Sequence, residues 1–173
     1  MISVISGKYK GKKLYHIKNK YVRPTQARIR KSIFQILEPF NGLEILDLYA
    51  GVGTMGLEAF SRGSSRVIFV EKDRQVYKIL QKNATLFDND KITLYCEDVV
   101  QYISRYDGDR FDIVFADPPY VLTNYSYLRE RMQKVLKPNG IFCMEMKKQA
   151  IKESYVRIKH YGNTQVVFSR AEA

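Results

Sequence analysis

Asp117-Pro118-Pro119-Tyr120 closes the apolar run Phe111-Asp112-Ile113-Val114-Phe115-Ala116 with a carboxylate, two residues of fixed φ and an aromatic ring. That combination suits a nitrogen that is reluctant to react. The lone pair of an exocyclic amine on guanine, adenine or cytosine is conjugated with its ring. Acceptors on both of its N–H bonds favour the pyramidal form and aim the lone pair outward. The Asp117 carboxylate is one acceptor and the Pro118 carbonyl the other, and the prolines keep that carbonyl from relaxing away. As the nitrogen attacks it becomes cationic, so Asp117 also stabilises developing charge. Tyr120 offers a face on which the base can stack, and a paired base must leave its helix to arrive there. A rigid loop with a solvated Asp117 and a packed Tyr120 is the plainer alternative.

A second chemical stretch lies upstream. Gly51-x-Gly53-x-x-Gly56 matches a nucleotide-binding fingerprint, and Glu71 stands 20 residues after Gly51, where an acid that binds ribose hydroxyls belongs. A dinucleotide would rest its pyrophosphate on the helix N-terminus. Asp47 and Asp98 crowd the same rim, and carboxylates there favour a cationic ligand. S-adenosylmethionine (AdoMet) carries an ammonium and a sulfonium and no phosphate. Asp47 can face the ammonium, directly or through water. Glu71 can accept both ribose hydroxyls and Asp98 the adenine amino group. Asp98 can equally cap a helix that starts at Val99. An NAD(P)-dependent oxidoreductase remains an alternative, without a recognisable hydride-transfer pair beside the glycines.

These residues need a scaffold that gathers them. Short apolar strands are expected at 43–50, 65–71, 91–97, 111–116 and 140–146. Helices intervene: one near 54–62, one capped by Asp73, a short one through Val99, Val100 and Ile103, and one marked by Leu128, Met132, Val135 and Leu136. Residues 155–170 read as two strands around Gly162-Asn163. Strict alternation predicts an α/β, Rossmann-like fold: a mostly parallel seven-stranded sheet with one antiparallel strand, here expected at the edge, and helices on both faces. In such sheets ligands bind beyond the carboxyl ends of the strands, where Asp47–Gly56, Glu71, Asp98 and Asp117–Tyr120 all fall. Residues 1–40 form a basic β-hairpin (2–17) and a helix within 23–39 that Thr25 can cap. They extend the 41–173 catalytic domain.

Charge is placed unevenly. The net charge is +11, yet residues 1–37 hold ten Lys/Arg and no Asp or Glu, while the rest holds 19 basic and 18 acidic side chains. Such a segment attracts phosphate backbones. Lys8, Lys10, Lys12 and Lys13, with Tyr9, Tyr15 and Tyr21 interleaved, are candidate RNA contacts; the tyrosines can instead pack within the hairpin. A non-catalytic RNA-binding module would also carry this charge. No apolar run approaches the ~18 residues that span a bilayer. No metal spacing is visible, and Cys96 and Cys143, each in an apolar stretch, read as reduced core thiols. A cytoplasmic monomer is expected.

"DLYAGVGTMGLEAFSRG", "VIFVEKD", "EDV" and "FADPPY" resemble the class I AdoMet-dependent amino methyltransferases. "ISGKYKGKKL", "RPTQARIRKSIFQIL" and "KHYGNTQVVFSR" narrow the resemblance to the bacterial enzymes that methylate the N2 amine of a guanosine in 16S ribosomal RNA. It runs from Ile2 to about Arg170. It implies AdoMet as cofactor and 16S rRNA in a small-subunit assembly particle as substrate. The cofactor set it implies is Asp47, Tyr49, Gly51, Gly53, Thr54, Glu71, Lys72, Asp98, Val99 and Thr25. Asp117, Pro118, Pro119 and Tyr120 would hold the target amine, with Arg23 and Arg28 near the RNA. Lys31 and Met146-Lys147 depart from the family pattern. Because DPPY-type turns also serve adenine-modifying enzymes, methylation of adenine N6 in DNA or RNA is the alternative.

Overall fold

Five apolar runs between residues 43 and 147 become parallel strands, four of them with residues buried on both faces and the fifth, at 92–95, half-buried at the sheet edge, joined by chain segments long enough to cross back over the sheet. The computed structural model describes residues 2–17, 26–88, 90–120 and 124–173. In chain order these form β1 (Ile2–Ser3), β2 (Lys13–Leu14), α1 (Ala27–Leu37), β3 (Glu44–Leu48), α2 (Thr54–Ser61), β4 (Arg66–Val70) and α3 (Arg74–Ala84). There follow β5 (Ile92–Tyr95), α4 (Val99–Arg105), β6 (Phe111–Ala116), α5 (Tyr125–Val135), β7 (Leu136–Lys147), β8 (Val156–Tyr161) and β9 (Thr164–Arg170).

Seven strands make one sheet in the order β5-β4-β3-β6-β7-β9-β8. All neighbours are parallel except β9, which runs against both β7 and β8. The single antiparallel strand is therefore present but not at the edge. Val166, Val167 and Phe168 of β9 are buried on both faces, which suits an interior position, whereas β8 alternates half-buried Val156 and Ile158 with exposed Arg157 and Lys159. Strand order reverses between β3 and β6, and the crevice above their carboxyl ends is where such sheets bind ligands.

Two apolar layers flank the sheet. On one face Ile29, Ile33, Phe34 and Leu37 of α1 pack with Leu57 of α2, Leu80 of α3 and the strand residues Ile45, Phe69, Phe115 and Phe168. On the other, Val99, Tyr102 and Ile103 of α4 and Leu128, Met132 and Val135 of α5 cover Leu46, Val114, Phe142 and Val167. Asp73, Asp98 and Asn124 cap α3, α4 and α5, each accepting amide protons from the first turn. The helical cap expected at Thr25 lies outside the described residues; the described N-cap of α1 is Gln26, which makes no side-chain capping bond. Leu136, expected to end α5, instead starts β7.

The amino-terminal segment docks through buried polar groups. Ile5 and Ser6 donate their amides to the Glu58 carboxylate at 2.7 and 3.0 Å, and Arg62 Nε donates to it at 2.8 Å. Glu58 is 1% exposed. Arg30, one of the ten basic residues of the first 37, is buried too, and its guanidinium donates to the Ser3 carbonyl at 2.7 Å. Desolvation lowers its pKa, while nearby Glu58 works against that shift. Val4 and Leu14 join the same apolar layer as α1, so the hairpin shares its core with the sheet. Cys143 is buried, but Cys96, read in sequence as a core thiol, is exposed beyond β5.

Candidate active site

The turn after β3 begins at Tyr49 with φ 54°, followed by Gly51 at 58° and Gly53 at 91°. A tyrosine in that region is strained, and such strain gathers at ligand sites. A Cβ on Gly53 would lie 2.6 Å from Leu80 Cδ1, and one on Gly56 would lie 2.3 Å from the Phe69 ring. These two glycines let the loop and α2 press onto α3 and the sheet. A Cβ on Gly51 would meet nothing within 4 Å, because Gly51 faces a cavity.

That cavity measures ≈ 700 Å³, within the range of small-molecule sites. Tyr49, Gly51, Thr54, Glu71, Lys72 and Val99 line it, as does the whole turn from Asp117 to Tyr120. Asp47 forms its floor, 3% exposed. Strand register explains the gathering: Leu48 of β3 pairs with Val70 of β4 and Ala116 of β6, so Glu71 and Asp117 leave the sheet on either side of the glycine turn.

Asp47 Oδ2 accepts the Gly56 amide at 2.8 Å, the third residue of α2. Burial pushes the Asp47 carboxyl up to about 8; the Gly56 bond opposes that shift and the charge of Glu71 adds to it. The Glu71 carboxylate accepts from the Gly51 amide at 2.9 Å through Oε2 and from the Asp73 amide at 2.8 Å through Oε1. Each of these oxygens can still take a ligand hydroxyl. Asp98 spends Oδ1 on the Val100 and Gln101 amides, and Val99, not Asp98, forms the cavity wall. Its capping role is thus realised, and Oδ2 can serve an adenine amino group as well. Burial, and then the charge of Asp98, raise the pKa of Tyr49.

At the other end of the cavity Pro118 is buried, Pro119 exposed, and Tyr120 46% exposed. The Tyr120 hydroxyl hydrogen-bonds with Thr164 Oγ1 at 2.9 Å, which anchors the tip of the ring and leaves its face available. Glu145 and Thr164 also line this end, with Gln26 and Ile29 of α1. Sequence reading did not select Glu145 or Thr164. Glu145 was detectable as a lone acid near the carboxyl end of the apolar run Ile141–Met146, one strand over from Asp117.

The cationic candidates separate. Arg28 is exposed in the first turn of α1, two residues from Gln26 on the cavity wall. The Lys8 amide donates to the Ser61 carbonyl at the end of α2, and Lys12 Nζ donates to the Leu86 carbonyl after α3. The end of α2 lies at the amino rim of the sheet, where Ser65 donates to the Leu43 carbonyl, whereas Asn83 near the end of α3 donates to the Val52 carbonyl of the glycine turn and exchanges hydrogen bonds with the Tyr15 backbone. Tyr9 packs beneath both lysines against Phe60 and Phe87. Lys10 is exposed between them, and Lys13 lies on β2. Tyr15, half exposed, carries Lys82 over its ring. Arg23, Thr25 and Tyr21 lie outside the described residues.

The lining fits a cation. Asp47, Glu71, Asp73, Asp117 and Glu145 face Lys72 as the sole base among the described lining residues. The N-terminus of α2, where a pyrophosphate would sit, is already served by the Asp47 carboxyl. That disfavours a dinucleotide and suits AdoMet, whose nucleoside and amino-acid parts match the cavity's size. Among the described residues no cluster of three or more His, Cys, Asp or Glu is placed to hold a metal, and no helix is long and apolar enough to cross a membrane.

Sheet order, glycine turn and acidic cavity define an AdoMet-dependent methyltransferase with the class I fold. The chain belongs to the family described as Conserved hypothetical protein 95, whose model matches residues 2–170. It is similar to the ribosomal RNA small subunit methyltransferase D of Haemophilus influenzae, with 28% identity over 156 residues, 85% of this chain and 79% of that protein. Against the enzyme of the same name from Escherichia coli the identity is 32% over 120 residues, 69% of this chain and 60% of that one. The solved structure of yhhF from Escherichia coli is 26% identical and superposes with a TM-score of 0.86 over 99% of this chain and 98% of its own.

Proposed function

We propose that this protein methylates the exocyclic N2 amine of a guanosine in small-subunit ribosomal RNA. One observation carries the reading: the Asp117–Tyr120 turn lines one cavity with Asp47, the glycine turn and Glu71, so a base and a methyl donor can meet there. The names borne by the curated relatives support ribosomal RNA as the substrate class, and the sequence resemblance supports guanine N2.

AdoMet, when bound, supplies an electrophilic methyl group on a sulfonium. Glu71 would hold its ribose hydroxyls, Asp47 would face its ammonium and Gly51 would leave room for its backbone-side approach. Asp117 and the Pro118 carbonyl accept the two amine protons of the base. The amine lone pair is thereby freed and aimed into the cavity. Tyr120, tied at its hydroxyl by Thr164, provides the stacking face. Positive charge that develops on the nitrogen is stabilised by Asp117, and the proton then leaves to solvent. Positioning and charge stabilisation, rather than strong acid–base chemistry, account for the rate.

The test is transfer of labelled methyl from AdoMet to small-subunit particles, naked 16S rRNA and duplex DNA, followed by nucleoside mass spectrometry. N2-methylguanosine in RNA is expected. N6-methyladenosine, or label in DNA alone, would replace this reading with the adenine one.

A further inference from the structure

The basic amino-terminal segment is the evident RNA-binding candidate, yet Lys8 in its turn docks on the end of α2, at the amino rim of the sheet. A second acid-free stretch exists. Residues 154–171 contain Arg157, Lys159 and Arg170 and no Asp or Glu. Strand pairing decides where those cations point. Arg157 pairs with Phe168 and Lys159 with Val166, and cross-strand partners share a face of the sheet. Phe168 and Val166 belong to the apolar layer built with α1. Arg157 and Lys159 therefore project on the α1 side, as does Tyr161, whose hydroxyl donates to Ser32 Oγ of α1.

On α1, Arg28 stands four residues before Ser32 and three before Lys31, so it neighbours both on the helix surface, with Lys31 flanking on its other side. The Tyr161–Ser32 bond thus joins two pairs of cations: Arg28 and Lys31 from the helix, Arg157 and Lys159 from the edge strand. All four are exposed, and none makes an ion pair or side-chain hydrogen bond among the described residues. The surface adjoins the cavity. Tyr161 pairs with Thr164, which holds the Tyr120 hydroxyl. From β6, which Asp117 directly follows, to β8 is three strand spacings, about 14 Å. Charges, lysine above all, also blunt edge strands, but Arg28 and Lys31 lie on a helix, where that purpose does not apply.

We propose that Arg28, Lys31, Arg157 and Lys159 form a phosphate-binding ridge that holds the RNA strand flanking the target base. This rests on the RNA-methyltransferase reading and adds to it where the backbone lies: across α1 and β8, beside Tyr120. The sequence departure at Lys31 then becomes part of the contact surface.

The test compares R157A/K159A with K78A/K91A, which removes the same charge from exposed positions on α3 and just before β5. Each is assayed for methyl transfer to rRNA over a range of salt, and for S-adenosylhomocysteine affinity. The ridge predicts that R157A/K159A raises the KM for RNA about tenfold and flattens the log–log salt dependence by about 1.4. Its S-adenosylhomocysteine affinity stays at the wild-type value, as do both properties of K78A/K91A. An unchanged KM and salt slope in an otherwise active R157A/K159A protein overturns the ridge and leaves the proposed function standing. If both pairs weaken RNA binding equally, the charge acts only in bulk and the ridge is wrong. Wild-type protein that transfers no methyl to RNA at all overturns the functional reading, and the ridge with it.

Discussion

Asp47 and Gly56 meet across the strand-to-helix turn, the buried carboxyl accepting the glycine amide at 2.8 Å. Burial holds that carboxyl up to about 8, against an ordinary value of 3.8. Between those values the native state binds more protons than the unfolded chain. The stability this group contributes is therefore complete below pH 3.8 and is lost as pH rises to about 8. Asp47→Asn keeps an acceptor for Gly56 and removes the titration. Its urea midpoint between pH 5 and 9 should fall less steeply than that of the wild type. Parallel curves would show that Asp47 does not titrate in this range. A bound ammonium favours the ionised carboxylate, so S-adenosylhomocysteine should release protons on binding at pH 7. Calorimetry in buffers of different ionisation heat reads that release, and Asp47→Asn should abolish it.

Gly51 and Gly53 should separate stability from binding. Gly53→Ala forces a left-handed alanine onto Leu80 and should cost about 2–3 kcal/mol in denaturant unfolding. Gly51→Ala has only the backbone strain, about 1 kcal/mol, but its methyl group enters the cavity. It should weaken S-adenosylhomocysteine binding at least tenfold. Equal effects of both variants on both quantities would contradict this division.

Glu58 is a buried carboxylate with two hairpin amides and Arg62 as donors, beside Arg30. Glu58→Ala leaves these groups without their acceptor and should destabilise the protein by about 3–5 kcal/mol. Chemical denaturation measures this. A loss below about 1 kcal/mol would mean that the hairpin docks mainly through Val4 and Leu14.

Tyr120 is assigned to stacking, and its hydroxyl only to anchoring on Thr164. Tyr120→Phe should retain kcat/KM for RNA within about threefold, whereas Tyr120→Ala should lose about 10- to 100-fold. A phenylalanine variant as impaired as the alanine variant would shift the role from the ring to the hydroxyl.

The gathering of the proposed cofactor residues at one rim was legible because its signals are local. Gly51, Gly53 and Glu71 follow apolar runs at fixed spacing, and the alternation of elements places all three at one rim. The position of β9 was less legible. A Gly162-Asn163 turn specifies a hairpin, but only burial of Val166 and Phe168 on one face and Val167 on the other reveals which strand lies inside. The docking of the hairpin was illegible for a related reason. Charge is visible in sequence, whereas the amides that tie Ile5, Ser6 and Lys8 to α2 leave no sequence signal. Glu145 and the cations of β8 enter the picture only once the register of β6, β7, β9 and β8 is known.

The central claim is that the Asp117 turn activates a nucleobase amine beside a methyl donor held by the Asp47–Glu71 loop. Single-turnover transfer by Asp117→Asn, at saturating AdoMet and rRNA, tests it most directly. The predicted result is a rate at least 100-fold below wild type, with S-adenosylhomocysteine affinity changed less than about twofold. An Asp117→Asn enzyme that transfers methyl groups to RNA at the wild-type rate would contradict it.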